Sequence, residues 1–413
     1  MRTYRELFLV PEFAPLFATT AVQVAATTLS GLALGTLVYA ATRSPLLAAL
    51  SMFGSSLTQV IGAAALLSAS DRLPPRAATT GLALVYGLGT TALALPGLPI
   101  WGIFAVIVSL GLAASVGGGV RYGLLSEILP PGGYLLGRSV LNMSVGIMQI
   151  CGFALGGALL TVLSARGALL AGAALYLAGA VIAWCGLTRR TPRAAGRPSL
   201  AQTWRTNARL WSSSPRRYLY LAMWVPNGLI VGCESLFIPY APGRAGLLFA
   251  CAALGMLAGD TMAGRFVPQR WRGRLAPALR LLLAAPYLVF VLHPPLPIAV
   301  AAVLLASVGY SASLLLQERL MALTPDDIHG HALGLASSGV LTMQGVAAAM
   351  AGAIAQATSP ATAMAILAAA SVAVTLTLAR GLRSRPRRPA SRSLVRGQRS
   401  TEWQTGPAGS QAH

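Results

Sequence analysis

Apolar runs of about twenty residues, separated by short breaks of Pro, Gly, Ser and Arg, repeat along almost the whole chain. They predict transmembrane helices near 14–38, 45–69, 77–95, 99–123, 136–162 and 167–188, then near 219–240, 245–267, 275–293, 296–318, 332–355 and 360–380. Turn chemistry marks the breaks, as at Leu73-Pro74-Pro75, Pro130-Pro131-Gly132-Gly133, His293-Pro294-Pro295 and Ser359-Pro360. Between the sixth and seventh runs lies the longest polar interruption, residues 189–217, with eight arginines and no acid. Such a segment cannot sit in hydrocarbon, where charges and unpaired backbone groups are costly. The pattern therefore predicts an all-α membrane protein of twelve transmembrane helices in two pseudo-symmetric six-helix bundles. Its parts are an N-terminal bundle (1–188), a basic linker (189–217), a C-terminal bundle (218–381) and a disordered basic tail (382–413), which is rich in Pro, Ser and Arg.

Composition sharpens this picture. Of 413 residues 55% are hydrophobic and 10% charged, and the 31 basic residues, all arginine, outnumber ten acids to give a net charge of +21. The arginines gather between apolar runs, not along a soluble face, which argues for topology and anionic lipid headgroups as their partners and against nucleic acid. With a cytoplasmic N-terminus, only Arg43, Arg166 and Arg244 face outward and the other 28 lie inside, an asymmetry that an odd number of crossings would scramble. This places both termini in the cytoplasm of a bacterial cell, with the bundles in its cytoplasmic membrane. The first helix is too long for a signal-peptide core and lacks a clear cleavage site, so it is expected to be retained. Cys151, Cys185, Cys233 and Cys251 each sit in an apolar run without ligand spacing and read as packing residues.

The halves share landmarks. Asp71-Arg72 closes the second helix and Gly264-Arg265 the eighth, 193 positions on; Glu127 ends the fourth and Glu318 the tenth, 191 positions on. Gln149 precedes Gly156-Gly157, and Gln344 precedes Ala351-Gly352, at the same spacing. Nearly one offset for three landmarks argues for a duplicated six-helix unit. Twelve spans, a long central loop and this duplication resemble the major facilitator superfamily. In its loop between the second and third helices, Asp71, Arg72 and Arg76 match the family's charged motif, with Leu67, Pro74 and Pro75 replacing two glycines and a basic residue. Gly152-Phe153-Ala154-Leu155-Gly156-Gly157 resembles the exporters' fifth-helix signature without its proline, and RYGLLSEILPPGGYLLGRSVLN is loosely similar to drug and siderophore effluxers. The resemblance implies alternating access to a mid-membrane cavity lined by the first, fourth, seventh and tenth helices.

Within that frame the polar residues sort by depth. Asp71, Arg72, Arg76, Glu127, Arg265, Arg270 and Glu318 fall at the linker-side ends of helices, where they could form a cytoplasmic gate that breaks when the halves rock, or stand as solvated interfacial charges. Glu234 lies some 15 residues into the seventh helix, roughly 23 Å from its inner end. An acid at that depth could bind a proton or a cationic substrate, or make a structural hydrogen bond. Asp260, five residues before Arg265, is a second coupling candidate, with a structural ion pair as the competing role. Thr20, Gln23, Thr27 and Ser30 share one face of the first helix, while Asn142 with Gln149, Asn227 with Glu234, and Tyr310 with Gln317 are each seven apart. These side chains could line a wet cavity or hydrogen-bond neighbouring helices at about 0.6 kcal/mol each.

The glycine pairs Gly31/Gly35, Gly152/Gly156, Gly228/Gly232 and Gly255/Gly259 have the spacing that lets helices touch, here within a monomer. His329 and His331, beside Asp326 and Asp327, read as a solvated loop, not a metal site, and no cofactor is implied. The absence of lysine removes a P-loop and with it an ATP-driven pump. The expectation is a secondary active transporter that exports a small amphipathic molecule, of drug, antibiotic or siderophore type, in exchange for protons. Uptake by the same fold, a membrane sensor and a polytopic enzyme are the alternatives.

Overall fold

In the computed structural model, residues 4–66, 73–130, 133–191, 200–325 and 328–382 are described, and they form helices and turns. Asp71, Arg72, Asp326, Asp327 and the chain beyond Leu382 lie outside the described residues. The first half contains α1 (Phe13–Thr42), α2 (Pro45–Leu66), α3 (Pro75–Leu93), α4 (Ile100–Ile128), α5 (Tyr134–Val162) and α6 (Ala165–Gly186). The second contains α7 (Ser214–Glu234), α8 (Ala245–Phe266), α9 (Gln269–Ala284, with a 3-10 continuation Ala285–Leu292), α10 (Leu296–Ala322), α11 (His329–Ala357) and α12 (Pro360–Leu382). Eleven described segments are long and apolar enough to cross a membrane. The remaining helix of the twelve, α3, carries Arg76 and four threonines in nineteen residues and is packed against α4 and α6. The chain is an integral membrane protein.

Each half is closed on itself by long helix contacts, α1 on α6 and α5, α3 on α6, α7 on α11 and α12, and α8 on α10. The halves meet along two seams, α2 on α11 and α5 on α8. These are one pairing seen twice, the second helix of one half on the fifth of the other, as a duplicated unit demands. Backbones touch where side chains vanish. A Cβ added at Gly246 would stand 2.5 Å from the Gly157 Cα, and one at Gly352 would stand 2.5 Å from the Leu46 Cα. Both contacts lie toward the end of the molecule farthest from the linker, called the far end below. There the Ser44 hydroxyl, just before α2, also donates to Gln356 Oε1 at 3.1 Å, joining the two halves.

Two departures from the hydrophobic pattern matter for the site. The basic linker is not all loop: Leu200–Ser212 is helical, and α7 begins at Ser214, five residues earlier than its apolar run. Trp211 of the linker helix stacks on Trp224 and Tyr220 of α7, with ring centroids 5.5 and 6.1 Å apart. The buried Arg216 donates to the carbonyls of Arg209 and Leu210 at the end of that helix, and to Leu323 after α10. One guanidinium thus satisfies carbonyls left open at two helix ends. The other departure is in α10, which tightens into a 3-10 turn at Gly309–Ser311. A Cβ on Gly309 would lie 2.5 Å from the Leu279 carbonyl oxygen, so only glycine lets α9 approach this closely, and the turn sets the direction of the tyrosine that follows.

Candidate functional site

Glu234 is the last residue of α7 and is 7% exposed. The Tyr310 hydroxyl, delivered by the 3-10 turn of α10, donates to Glu234 Oε1 at 3.0 Å. Near the carboxyl are Cys233 of α7 and Tyr287 of α9, both buried, and Phe237 stacks on Tyr287. The wall is aromatic: Phe237 lies edge-on to Phe249 at 4.9 Å and Tyr287 stacks on Phe290 at 5.5 Å. The Tyr287 hydroxyl is buried with no hydrogen-bond partner among the described residues. No cation pairs with Glu234 among those residues. Among the described residues that acid is held by the Tyr310 hydroxyl inside a span, a placement costly for its charged form.

Asn227, two turns earlier on α7, takes a different direction. Its Oδ1 accepts from Gln344 Nε2 of α11 at 3.1 Å, so the two polar residues of α7 serve two neighbours. Proline 226, inside α7, removes one backbone donor just before it. Gln317, seven residues after the buried Tyr310, is exposed. Asp260 is half-buried on α8 and makes no ion pair with Arg265 among the described residues. Five positions along a helix turn the two side chains about 140° apart.

In the first half the polar face of α1 looks toward α6. Thr27 Oγ1 lies 2.9 Å from the Tyr176 hydroxyl and also donates to the Gln23 carbonyl at 2.8 Å. A Cβ on Gly172 of α6 would collide with the Ser30 hydroxyl, and Thr20 is buried. Tyr176 in turn packs on Tyr86 of α3, with centroids 5.4 Å apart. Asn142 is exposed and accepts from the Tyr122 hydroxyl at 3.2 Å; Gln149, two turns on, is half-buried.

The charges at the linker-side helix ends are brought together within each half. Arg190, just after α6, bridges Glu12 at 2.8 Å and Glu127 at 3.3 Å, and Glu12 also accepts from the Thr188 hydroxyl at 2.9 Å. Burial acts to raise the Glu12 carboxyl, but the Arg190 and Thr188 hydrogen bonds and the Arg190 charge outweigh it and hold it below the usual carboxylate range. Glu318 pairs with Arg272 at 2.9 Å, while Arg265 and Arg270 are exposed. Arg76 lies 4.4 Å over the Trp184 ring of α6. Glu12, Arg190 and Arg272 are partners that the helix-end pattern did not single out. Tyr287 and the buried Arg280 were also missed, and for Arg280 the signal was present: it is a charge inside an apolar run.

A family model described as Major Facilitator Superfamily matches residues 16–312, and the chain belongs to that family. No curated protein matches its sequence. Solved structures share the fold at low identity. A nucleoside transporter, NupG, superimposes with a TM-score of 0.76 at 11% identity, covering 89% of this chain and 99% of its own. A POT family transporter in complex with a thioalcohol-conjugated peptide gives 0.74 at 12% identity, over 90% and 96%. A bacterial homologue of the human lysosomal transporter Spinster, inward-facing and unoccupied, gives 0.70 at 15%, over 92% and 96%.

Proposed function

We propose that this member of the Major Facilitator Superfamily is a proton-coupled exporter of a small amphipathic molecule, with Glu234 as the group that trades a proton for the cargo. The observation that carries this reading is the Glu234 carboxyl, buried, hydrogen-bonded to Tyr310 and unpaired with any cation among the described residues. The glycine contacts between the halves near the far end give the bundle a seam it can close and open, the rigid-body movement that alternating access requires. In the described state the halves touch there at Gly157 with Gly246 and at Leu46 with Gly352.

Gln replaces the carboxyl with a group of the same shape that cannot carry a proton. Proteoliposomes holding the full chain, given an imposed pH gradient and an amphipathic cation such as ethidium, test the assignment. The wild-type protein is expected to move ethidium against the pH gradient, and Glu234→Gln is expected to lose the dependence on that gradient while still binding ethidium. Unchanged pH dependence in Glu234→Gln would remove the residue from the mechanism. Ethidium that accumulates in cells carrying the protein, and not in cells without it, would reverse the direction to uptake.

A further inference from the structure

At the far end the contact between the halves is incomplete. Beside Gly157 and Gly246 lies a cavity of about 160 Å³, walled by Leu32, Tyr39 and Arg43 of the first half and by Ile238, Pro242 and Gly243 of the second. Leu32 and Ile238 are buried, whereas Arg43, Pro242 and Gly243 are exposed, so the cavity is apolar in its depth and opens at the far-end surface. Both polar and apolar surface faces the space. A void of about 150 Å³ in a protein core admits one benzene ring, and this one has room for a body of that size.

Charge selects the occupant further. The lining holds Arg43 and no acid, and no carboxylate pairs with Arg43 among the described residues. Arg43 caps α1 in the left-handed region at φ 54°, a position that glycine takes without steric cost; other residues held there cluster at ligand clamps and switch regions. Among the described residues it is also one of only three arginines on the far-end connections, with Arg166 and Arg244, against the bias that gathers such charges on the linker side. We infer that this cavity binds one small organic anion, a monocarboxylate with an apolar body of one ring's size, its carboxylate on the Arg43 guanidinium and its body between Leu32, Tyr39 and Ile238. The two walls belong to different halves, so a rotation that parts the halves parts the walls. The anion therefore binds best while Gly157 stays on Gly246, and by linkage it holds the far end in contact. This rests neither on Glu234 nor on the direction of transport.

Thermal unfolding of the purified full-length protein in detergent, with sodium benzoate, sodium acetate or benzyl alcohol as the probe, tests the site. Benzoate is expected to raise Tm saturably. Acetate, which lacks the body, and benzyl alcohol, which lacks the charge, are expected not to do so over the same concentrations. Arg43→Gln removes the charge while keeping a non-glycine residue in the left-handed cap, and should raise the half-saturating benzoate concentration about ten-fold. In a chain carrying Ser44→Cys and Gln356→Cys as its only cysteines, benzoate should speed disulfide formation across the far end. A benzoate response matched by either other probe would overturn the site, as would one that Arg43→Gln leaves unshifted. A crosslinking rate that benzoate leaves unchanged would overturn the hold on the far end.

Discussion

At the scale of single residues the polar groups divide into those paired near a helix end and those held by one distant hydroxyl inside a span. Glu12 shows the first kind. Its carboxyl is held below the ordinary range in the folded protein, so its stabilisation is fully present above the unfolded value of about 4.3. It is lost as pH falls through the folded value. Glu12→Gln is therefore expected to cost about 1 kcal/mol at pH 7, a drop in Tm of about 1–2 °C, with the two melting curves converging below about pH 4. A difference that does not shrink as pH falls would mean that the Arg190 bridge contributes through shape and not through charge. Glu234 shows the second kind. It was visible in the sequence, because an acid in an apolar run stands out, but its partner was not. Tyr310 is 76 positions away, and the angle at which it meets α7 is set by the 3-10 turn at Gly309, which no hydrophobic pattern reveals.

At the scale of elements, apolar runs located the helices because lipid imposes a length and a backbone rule that few other structures satisfy. They failed where the environment is protein. The linker helix Leu200–Ser212 is polar overall and is held by the Trp211 stack, a tertiary contact invisible in a local window. Glycine spacing was informative in a similar, partial way. Gly228 and Gly232 both lie against α11, at Met343 and Ala347, and Gly255 and Gly259 both lie against α10, at Leu304 and Val308. The spacing announces a close contact without naming the neighbour. Gly246 is an exacting position, since its added Cβ would meet the backbone of α5 across the seam between halves. Gly246→Val is expected to pry α5 from α8 at an overpacking cost of roughly 1–3 kcal/mol, lowering transport about ten-fold with expression retained. Gly31→Ala, where nothing lies within 4 Å of the new Cβ, is the matched control and should transport normally. Equal rates for the two variants would show that the seam is slack.

At the scale of the whole molecule, the duplication was readable as an offset, and the structure converts that offset into two equivalent seams, α2 on α11 and α5 on α8. What no sequence offset could give is which end of the seams is shut, because both arrangements of the halves bury similar helix faces and differ only in a rigid rotation. Here the halves touch at the far end, with Gly157 on Gly246, Gly352 on Leu46, and Ser44 hydrogen-bonded to Gln356 across the halves. If the halves rock, that hydrogen bond must break once in each cycle. Ser44→Cys with Gln356→Cys, in a chain whose four native cysteines are replaced by serine, is therefore expected to form a disulfide under mild oxidation and to stop transport. Reduction should restore it. Full transport by the crosslinked protein would mean that cargo crosses without the far end opening, and a rocking bundle would then no longer describe how this chain works.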